Sequence, residues 1–409
     1  MNSSLTLACL VVVYALAIPG SAFGQTWTPV LDTDPNTNYW ITVASSADGA
    51  TLVAAACGGP IVVSTNSGAN WIETAAPYAE WDHVACSADG AKLVAVVGGL
   101  FWSGLIYVST NTGATWITTT APTTPWTAVA CSADGTKIVA AGFNSPVFAS
   151  TNGGASWTPR SLTFGGGGYG PSIACSTDGM RLIAASGNSG DPLYISSDFG
   201  MTWTPASALY NSGWEAVASS ADGTTLIAAG GHSDISSILD EPMESAICLS
   251  SDGGMTWTTN IFGFTAFCGA AASADGHKLV AIAGPLPNTV VMISTNSGVD
   301  FEAMFGQPPG VWTAVSFSSD GSQLAVTEDD YPIYTARYMP PLNLALIGKN
   351  GTLSWPALAS SSALCLTESP DLASTNWSAV TAIPVLANGQ YSVTITASNS
   401  QSFYRLSNQ

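Results

Sequence analysis

Short apolar runs separated by turns rich in Gly, Asn and Ser make up most of the chain. Runs such as "KLVAVV" from Lys92 and "KIVAAG" from Lys137 are almost entirely apolar. Because a half-buried strand would alternate with polar residues, these runs indicate strands that are buried on both faces. Lys, Glu and Leu are scarce, whereas Thr, Val, Ile, Trp and Gly suit strands and tight turns. The pattern predicts an all-β protein.

The first repeated motif is Trp-x-x-Val-Ala-x-Ser-x-Asp-Gly. Clear copies begin at Trp40, Trp81, Trp126 and Trp214, and weaker copies begin at Tyr169, Phe267 and Trp312. An Asp-Gly pair between apolar runs predicts a hairpin, since Gly tolerates positive φ. The turn aspartates recur every 41–53 residues, a period typical of four-stranded propeller blades; they are Asp48, Asp89, Asp134, Asp178, Asp222, Asp275 and Asp320.

The second motif is "STNSGANW", which runs from Ser64 to Trp71 and recurs in six copies. Each copy has Ser first, Asn or Asp third, Gly fifth and an aromatic residue last. The six sets are Ser64, Asn66, Gly68 and Trp71; Ser109, Asn111, Gly113 and Trp116; Ser150, Asn152, Gly154 and Trp157; Ser196, Asp198, Gly200 and Trp203; Ser250, Asp252, Gly254 and Trp257; and Ser294, Asn296, Gly298 and Phe301.

The last repeat lacks the second motif after "PIYTARY", but residues 25–30, "QTWTPV", match the end of that motif. We therefore predict that Trp27 begins the outer strand of the last repeat. The N-terminal segment would then close the ring, which removes the open sheet edges between the first and last repeats.

The second motif resembles the Asp-box, Ser-x-Asp-x-Gly-x-x-Trp, of the sialidase-like propellers, and the resemblance covers residues 25 to about 338. It implies a seven-bladed β-propeller in which each box joins the third and fourth strands of a blade and faces away from the usual ligand face. Only Asp198 and Asp252 keep the family's Asp. Asn can make the same bonds from side chain to backbone, so we interpret the boxes as turn architecture rather than as acid sites.

Charge is sparse and one-sided in this chain of 409 residues. Charged residues make up 9% and apolar residues 46%, and the net charge is −19. The excess of acidic residues lies within 25–338. Such a field repels nucleic acid and anionic lipid, so neither is an expected partner. Lys92, Lys137, Arg181 and Lys278 follow the Asp-Gly turns and are expected to form a solvated rim.

The two ends of the chain differ from the repeats. Residues 1–24 combine an apolar run with small residues before Gln25, which predicts a secretory signal peptide, an uncleaved membrane anchor being the alternative. Residues 339–409 contain short alternating strands and resemble the small C-terminal modules of many secreted bacterial proteins; they predict a β-sandwich. We therefore expect a secreted or cell-surface protein.

Cys86, Cys131 and Cys175 occupy one repeat position, where other repeats have Ser or Ala. A position that accepts Cys, Ser or Ala is a small buried one, so packing is favoured over disulfides or metal ligands. We expect no cofactor and no metal site.

Candidate chemistry lies in the loops between second and third strands. The acidic residues that could pair there are Asp234, Asp240, Glu241, Glu328, Asp329 and Asp330. Solvated acidic loops or a structural calcium ion are the alternatives. Aromatic residues that could stack on a ligand are Trp40, Trp81, Phe101, Trp102, Trp126, Trp214 and Trp312, with packing beneath the loops as the alternative. The segment before and after Trp81 adds Tyr78, Glu80, Asp82 and His83.

These residues support two hypotheses. The first is a monomeric binding or scaffold protein that presents its loop face to a glycan or protein. The resemblance to Asp-box propellers allows this role, because sortilin-type receptors and photosystem assembly factors use such a fold without catalysis. The second is a hydrolase of neutral glycans that uses paired carboxylates. Sialidase activity is not expected, because three converging arginines are needed and residues 25–338 hold only Arg160, Arg181 and Arg337.

Overall fold

The computed structural model describes residues 14–15, 28–30, 39–98, 103–165, 169–188, 191–206, 213–230, 245–262, 267–283, 289–304, 307–328, 333–337, 343–347, 350–356, 364–369, 378–380, 383–387, 390–396 and 403–408. All regular structure in these residues is β-strand. The described residues contain no helix long and apolar enough to cross a membrane. The chain divides into two compact units, Gln25–Arg337 and a second unit of Met1–Gly24 with Tyr338–Gln409.

Each repeat of the first unit forms four antiparallel strands in sequence order. The strands that precede the last repeat are β1 (Tyr14–Ala15) and β2 (Thr28–Val30); β3 (Tyr39–Ser45), β4 (Leu52–Gly59), β5 (Ile61–Ser64) and β6 (Ile72–Glu73); β7 (Ala79–Cys86), β8 (Leu93–Val97), β9 (Ile106–Ser109) and β10 (Ile117–Thr118); β11 (Trp126–Cys131), β12 (Ile138–Gly142), β13 (Pro146–Ser150) and β14 (Thr158–Thr163); β15 (Tyr169–Cys175), β16 (Leu182–Gly187), β17 (Tyr194–Ser196) and β18 (Thr204–Pro205); β19 (Trp214–Ser219), β20 (Leu226–Gly230), β21 (Ser245–Ser250) and β22 (Thr258–Phe262); and β23 (Phe267–Ala272), β24 (Leu279–Ala283), β25 (Val290–Ser294) and β26 (Glu302–Ala303).

The last repeat supplies only three strands, β27 (Trp312–Phe317), β28 (Gln323–Glu328) and β29 (Ile333–Arg337). Its fourth strand is β2, which pairs antiparallel with β29 so that Thr28 lies opposite Thr335 and Val30 lies opposite Ile333. The N-terminal strand thus forms the outer edge of the last sheet, as the sequence comparison of "QTWTPV" predicts, although Trp27 itself lies outside the described residues.

The first strands of successive repeats contact one another in cyclic order, and the strand of the last repeat, β27, contacts β3 of the first. A closed chain of seven backbone hydrogen bonds joins the turns that follow these inner strands, with N···O distances of 2.7–2.9 Å. Ala47 N–H donates to Ala88, Ala88 to Ala133, and so on through Thr177, Ala221 and Ala274 to Ser319, whose N–H donates back to Ala47. This cyclic arrangement of radial sheets is that of a β-propeller.

Antiparallel order gives the ring two chemically different ends. We call the end with the Asp-Gly turns and the second-motif turns the turn end. The end where inner strands begin and second strands finish is called the loop end. Each second strand is almost wholly buried, and Leu226–Gly230 is an example. This burial confirms the inference from the apolar runs.

The Asp-Gly turns are held by one repeated set of hydrogen bonds. In each, a Ser hydroxyl donates to the aspartate two residues later at 2.5–2.7 Å, as Ser132 does to Asp134. The carboxylate then accepts a backbone N–H, as from Thr136 at 2.9 Å. These bonds favour the charged form, so they lower the pKa of Asp134 below its ordinary value.

The second-motif turns are also closed identically in all six copies. The Ser hydroxyl donates to the Asn or Asp side chain at 2.8–3.0 Å and accepts the Gly N–H at 2.8–2.9 Å. Asn and Asp differ only in the hydrogen bond made by the second terminal atom of the side chain, which is Nδ2 in Asn and Oδ2 in Asp. The Asp198 carboxylate accepts the Thr202 hydroxyl at 2.6 Å, whereas the Asn111 amide donates to Thr115 at 2.9 Å. Either residue therefore closes the turn.

Aromatic rings fill the seams between repeats near the loop end. Trp81 packs edge-to-face on Tyr107, Trp126 on Phe148, and Trp312 on Tyr334, with ring centroids 5.2–5.8 Å apart. Trp126, for example, lies in one core cluster with side chains of the preceding repeat and its own. These seams carry the core of the ring.

In its described residues, the second unit, which includes β1, contains two four-stranded sheets. Its strands are β30 (Asn343–Ile347), β31 (Asn350–Pro356), β32 (Leu364–Ser369), β33 (Ser378–Ala379), β34 (Val385–Ala387), β35 (Gln390–Thr396) and β36 (Phe403–Asn408). One sheet has the order β30-β31-β35-β34, and the other has the order β1-β36-β32-β33.

The fourth residue of each second-motif turn has positive φ, which predicts a stabilising substitution. Thr112 has φ 54°, where two other copies have Gly153 and Gly253. A β-branched residue in this conformation is strained, so Thr112→Gly should raise the free energy of unfolding by about 0.5–1 kcal/mol. The measurement is urea unfolding.

Gly154→Ala provides the opposite control for this measurement. Gly154 has φ 90°, and a Cβ there would lie 3.0 Å from Thr119 and 3.1 Å from Val108. It should destabilise by about 1–2 kcal/mol. Destabilisation by Thr112→Gly would contradict the strain argument.

Candidate functional site at the loop end

Positive charge in the first unit is confined to the turn end. Lys92, Lys137 and Lys278 begin second strands, and their ammonium groups donate to the carbonyls of Asp134, Asp178 and Asp320 at 2.6–2.7 Å. The contacts of Lys92 and Lys137 are solvent-exposed, as expected of a rim, and each of the three lysines is also hydrogen-bonded to the next turn. Arg181 takes the same repeat position.

The two remaining cations of this unit also lie toward the turn end. Arg160 donates to the Met201 sulfur at 3.3 Å and lies 5.3 Å from the ring centroid of Phe199, both in a second-motif turn. Arg337 lies opposite Gln323, where β28 begins.

Among the described Asp, Glu, Lys and Arg side chains, those at or near the loop end are all acidic: Glu73, Glu80, Asp82, Asp191, Glu215 and Glu328. The loops at this end that lie outside the described residues contain further acids and no Lys or Arg in the sequence. The loop end therefore holds carboxyl groups and no Lys or Arg of this unit.

Two of these carboxyls sit on the inner strands themselves. Asp82 and Glu215 each follow the first Trp of their repeats and are half-buried. At the same position Cys268 and Thr313 donate to the backbone carbonyls of Trp312 and Trp40 in the next inner strand. The position therefore lies in the seam between inner strands, where its side chain can reach a backbone carbonyl of the next inner strand.

Burial changes the pKa of both Asp82 and Glu215, which lie on different inner strands. Desolvation raises the pKa of Asp82 to about 7 and that of Glu215 to about 8, because the charged form loses hydration. Burial, with a smaller contribution from Glu215, raises the pKa of Cys268. The sequence analysis named Asp82 but missed Glu215. Aligning the repeats could have found it, since an acid stands there where others have Ile41, Thr127 or Thr313.

His83 follows Asp82 and is half-buried, with an Nδ1 that has no hydrogen-bond partner among the described residues. Burial lowers its pKa to about 4, opposed by a hydrogen bond to the backbone of Val129. The imidazole is therefore neutral near pH 7. It lies in the seam between β7 and β11.

Glu80 belongs to a feature that joins the first two repeats. The first residues of β7 pair with the end of β4, with Glu80 opposite Cys57 and Ala79 opposite Gly59. The Cys57 thiol donates to Glu80 Oε2 at 3.0 Å, and burial with this contact raises the pKa of Cys57 to about 12. The thiol therefore stays protonated and orients the carboxylate.

Glu328 is the predicted acid that the structure describes. It ends β28, lies opposite Trp312 and is 1% exposed. A Cβ added to Gly310 would lie 1.6 Å from its Oε1, so this glycine makes room for the carboxylate. Asp234, Asp240, Glu241, Asp329 and Asp330 lie outside the described residues, so their pairing stays a prediction.

Some of the aromatic residues predicted to bind a ligand are described by the structure and others are not. Phe101 and Trp102 lie outside the described residues. The others are 0–3% exposed and pack in the seams; they are Trp40, Trp81, Trp126, Trp214 and Trp312. These five rings pack beneath the loops, which was the alternative to stacking on a ligand, and none of them presents a face to solvent. The indole N–H groups of Trp81, Trp126 and Trp214 are buried without an acceptor among the described residues.

Cys86, Cys131 and Cys175 are free thiols in the described structure, and burial raises the pKa of Cys131 to about 12. Cys175 donates to the carbonyl of Cys131 at 3.2 Å. Within the described part of the chain, no group of three or more His, Cys, Asp or Glu side chains could hold a metal ion.

Comparison with known proteins identifies the fold. No protein-family model and no curated protein matches the sequence. Among solved structures, the GH74 enzyme of Niastella koreensis aligns with TM-score 0.59 and 14% identity over 82% of this chain. The GH74 xyloglucanase of Xanthomonas campestris aligns with TM-score 0.58 and 13% identity over 81%. The chain spans 60% and 59% of those two chains.

A second kind of neighbour is a binding protein. YCF48 bound to D1 peptide aligns with TM-score 0.54 and 12% identity, covering 76% of this chain and 99% of that one. YCF48 from Cyanidioschyzon merolae aligns with TM-score 0.55 and 13% identity, covering 76% and 98%. At such identities the likeness concerns the fold, and the fold is a β-propeller.

The raised pKa values predict a pH-dependent stability. An acid with a raised folded pKa favours folding while protonated, and this contribution is lost as pH rises from about 4 through 7–8. Glu215→Gln should therefore stabilise the protein by roughly 1–2 kcal/mol more at pH 9 than at pH 4, in urea unfolding at both pH values. Asp82→Asn should do the same.

The control for this effect is Thr127→Val at the same repeat position. It removes the hydroxyl that donates to the Pro171 carbonyl at 3.1 Å but no titratable group. Its effect should be equal at the two pH values. An equal effect of Glu215→Gln at pH 4 and pH 9 would contradict the assigned cause.

Proposed function

We propose that this protein is an exported, seven-bladed β-propeller that binds a glycan or protein ligand at its loop end and acts as a binding or scaffold protein. In this proposal, residues 1–24 form a signal peptide and the second unit is a β-sandwich module. The ring acts as a monomer.

The separation of charge between the two ends carries the proposal. At the turn end, the aspartates, serines and lysines are hydrogen-bonded within the frame, as in Ser132, Asp134 and Lys92. At the loop end, Asp82 and Glu215 have no hydrogen bond or ion pair to another described side chain. Polar groups that the frame does not use are available to a ligand. The peptide-bound YCF48 structure supports a role in binding for a ring of this kind.

A hydrolase of neutral glycans is the second candidate. The observation that favours it is the raised pKa of Asp82 and Glu215, because a general acid must hold its proton near the working pH. The GH74 neighbours share the fold with it. The loop acids named from the sequence would complete the pair.

A polysaccharide panel separates the two candidates. The mature protein is incubated with neutral and acidic polysaccharides, and binding and released reducing ends are measured on the same samples. We expect binding without release. Release that falls by a factor of about 10²–10⁴ in Asp82→Asn, Glu215→Gln, Asp240→Asn or Asp329→Asn would instead establish a hydrolase and identify its acids.

A matched variant guards against loss of fold in this experiment. Thr313 takes the place in the last repeat that Asp82 takes in the second. Thr313→Val removes the hydrogen bond from this hydroxyl to the Trp40 carbonyl and leaves every carboxyl in place. Its release should equal that of the unmodified protein. If this protein binds neither polysaccharides nor polypeptides, the proposed function is refuted.

A further inference from the structure

The first two repeats carry an exposed surface of mixed aromatic and acidic character at the loop end. We define the tyrosine patch as Tyr39, Tyr78, Glu73 and Glu80. Tyr39 is 53% exposed and Tyr78 is 64% exposed, so both present ring surface to solvent. Resting on the proposed binding function, we propose that this patch holds a Lys- or Arg-bearing segment of a protein partner.

Strand register brings Tyr39 and Glu80 together, and Tyr78 precedes Glu80 by two residues in the chain. Tyr39 of β3 lies opposite Cys57 of β4, and Cys57 lies opposite Glu80 of β7. Residues directly opposite in antiparallel strands project from the same face, so Tyr39 and Glu80 flank Cys57 on one face. This row exists because β7 extends back to pair with β4, which merges the first two sheets.

Two contacts preorganise the patch. The Cys57 thiol binds Glu80 Oε2 and leaves Oε1 free to accept from a ligand. Gly58 has φ 69°, and an added Cβ would lie 3.6 Å from Glu80 Oε1, so Gly58 lies beside the carboxylate without a steric clash. The Glu73 carboxylate lies close enough to the Tyr78 hydroxyl to raise its pKa, and the Tyr78 ring stays 64% exposed. Preorganised groups lose little entropy on binding.

The chemistry fits a cationic side chain. Tyrosine faces attract a guanidinium or ammonium group, and a carboxylate with a free oxygen completes the contact by a charge-assisted hydrogen bond. A neutral sugar could stack on the same rings. Charge favours the cation, because Glu80 supplies a carboxylate at the loop end and every Lys and Arg of the first unit, which would repel a basic segment, lies toward the turn end. Such a field steers a basic segment toward this end.

The test uses a labelled peptide of about six Lys-Gly repeats, its Gln-Gly counterpart and a neutral xyloglucan, with Kd measured by fluorescence anisotropy or competition. The Lys peptide should bind and the Gln peptide should not. Tyr39→Ala, Tyr78→Ala and Glu80→Gln should each raise the Kd about 3- to 10-fold. Binding should weaken by about tenfold between 0.02 and 0.2 M salt.

Matched controls remove the same groups elsewhere on the ring. Glu302→Gln deletes an exposed carboxylate on the outer strand of the sixth repeat, and Ile117→Ala deletes a side chain that is 63% exposed. Each should change the Kd less than about twofold. Tyr78→Phe keeps the ring and tests whether the Glu73 bond matters. The unfolding midpoint of every variant checks that the fold is intact.

The outcomes separate this inference from the proposed function. Equal weakening by Glu302→Gln and Glu80→Gln would show attraction by net charge alone and would overturn the patch. Binding of xyloglucan but not of the Lys peptide, with the same dependence on Tyr78, would make the partner a glycan. That result would overturn the basic partner and leave the binding function standing. Failure of every ligand to bind would refute both.

Discussion

Closure of the ring of inner strands is the constraint on which the rest of the structure depends. Apart from short pairings at the start of β7 and at Trp126, each inner strand pairs with a strand of its own sheet on one side only, so it is held by its neighbours in the ring. Seven backbone hydrogen bonds from turn to turn satisfy this requirement, the last from Ser319 to Ala47. The outer edge of the last sheet is completed by β2. Because every seam must repeat the same geometry, the turns and the buried second strands are nearly identical from repeat to repeat.

The two ends of the ring use their polar groups differently. At the turn end, Ser, Asp, Asn and Lys side chains form hydrogen bonds that build the turns, and these bonds lower the pKa of aspartates such as Asp252, to about 2. At the loop end, burial without partners raises the pKa of Asp82 and Glu215. The first kind of group stabilises the frame at neutral pH, whereas the second kind costs stability when it ionises. Groups that cost stability are candidates for function.

Sequence reasoning succeeded where the repeat itself carried the signal. The Asp-Gly hairpins, the buried second strands and the N-terminal strand all follow from local turn chemistry and from comparing one repeat with another. It was less successful with residues whose role depends on surroundings. The first tryptophans of the repeats were considered as ligand platforms, but Trp126 and Trp214 are 0% exposed, because each ring fills the seam against the preceding repeat. A single-repeat pattern does not show what the neighbouring repeat covers.

The sequence by itself determined the all-β class, the repeat period and the chemistry of both turns, because these depend on residues a few positions apart. Only the tertiary structure decided which charges share an end. It also showed that Asp82 and Glu215 take equivalent places on inner strands, and that β7 extends to β4 and places Glu80 beside Cys57 and Tyr39. These relations join residues from different strands or repeats. They arise from register and ring closure, which act between residues that are distant along the chain.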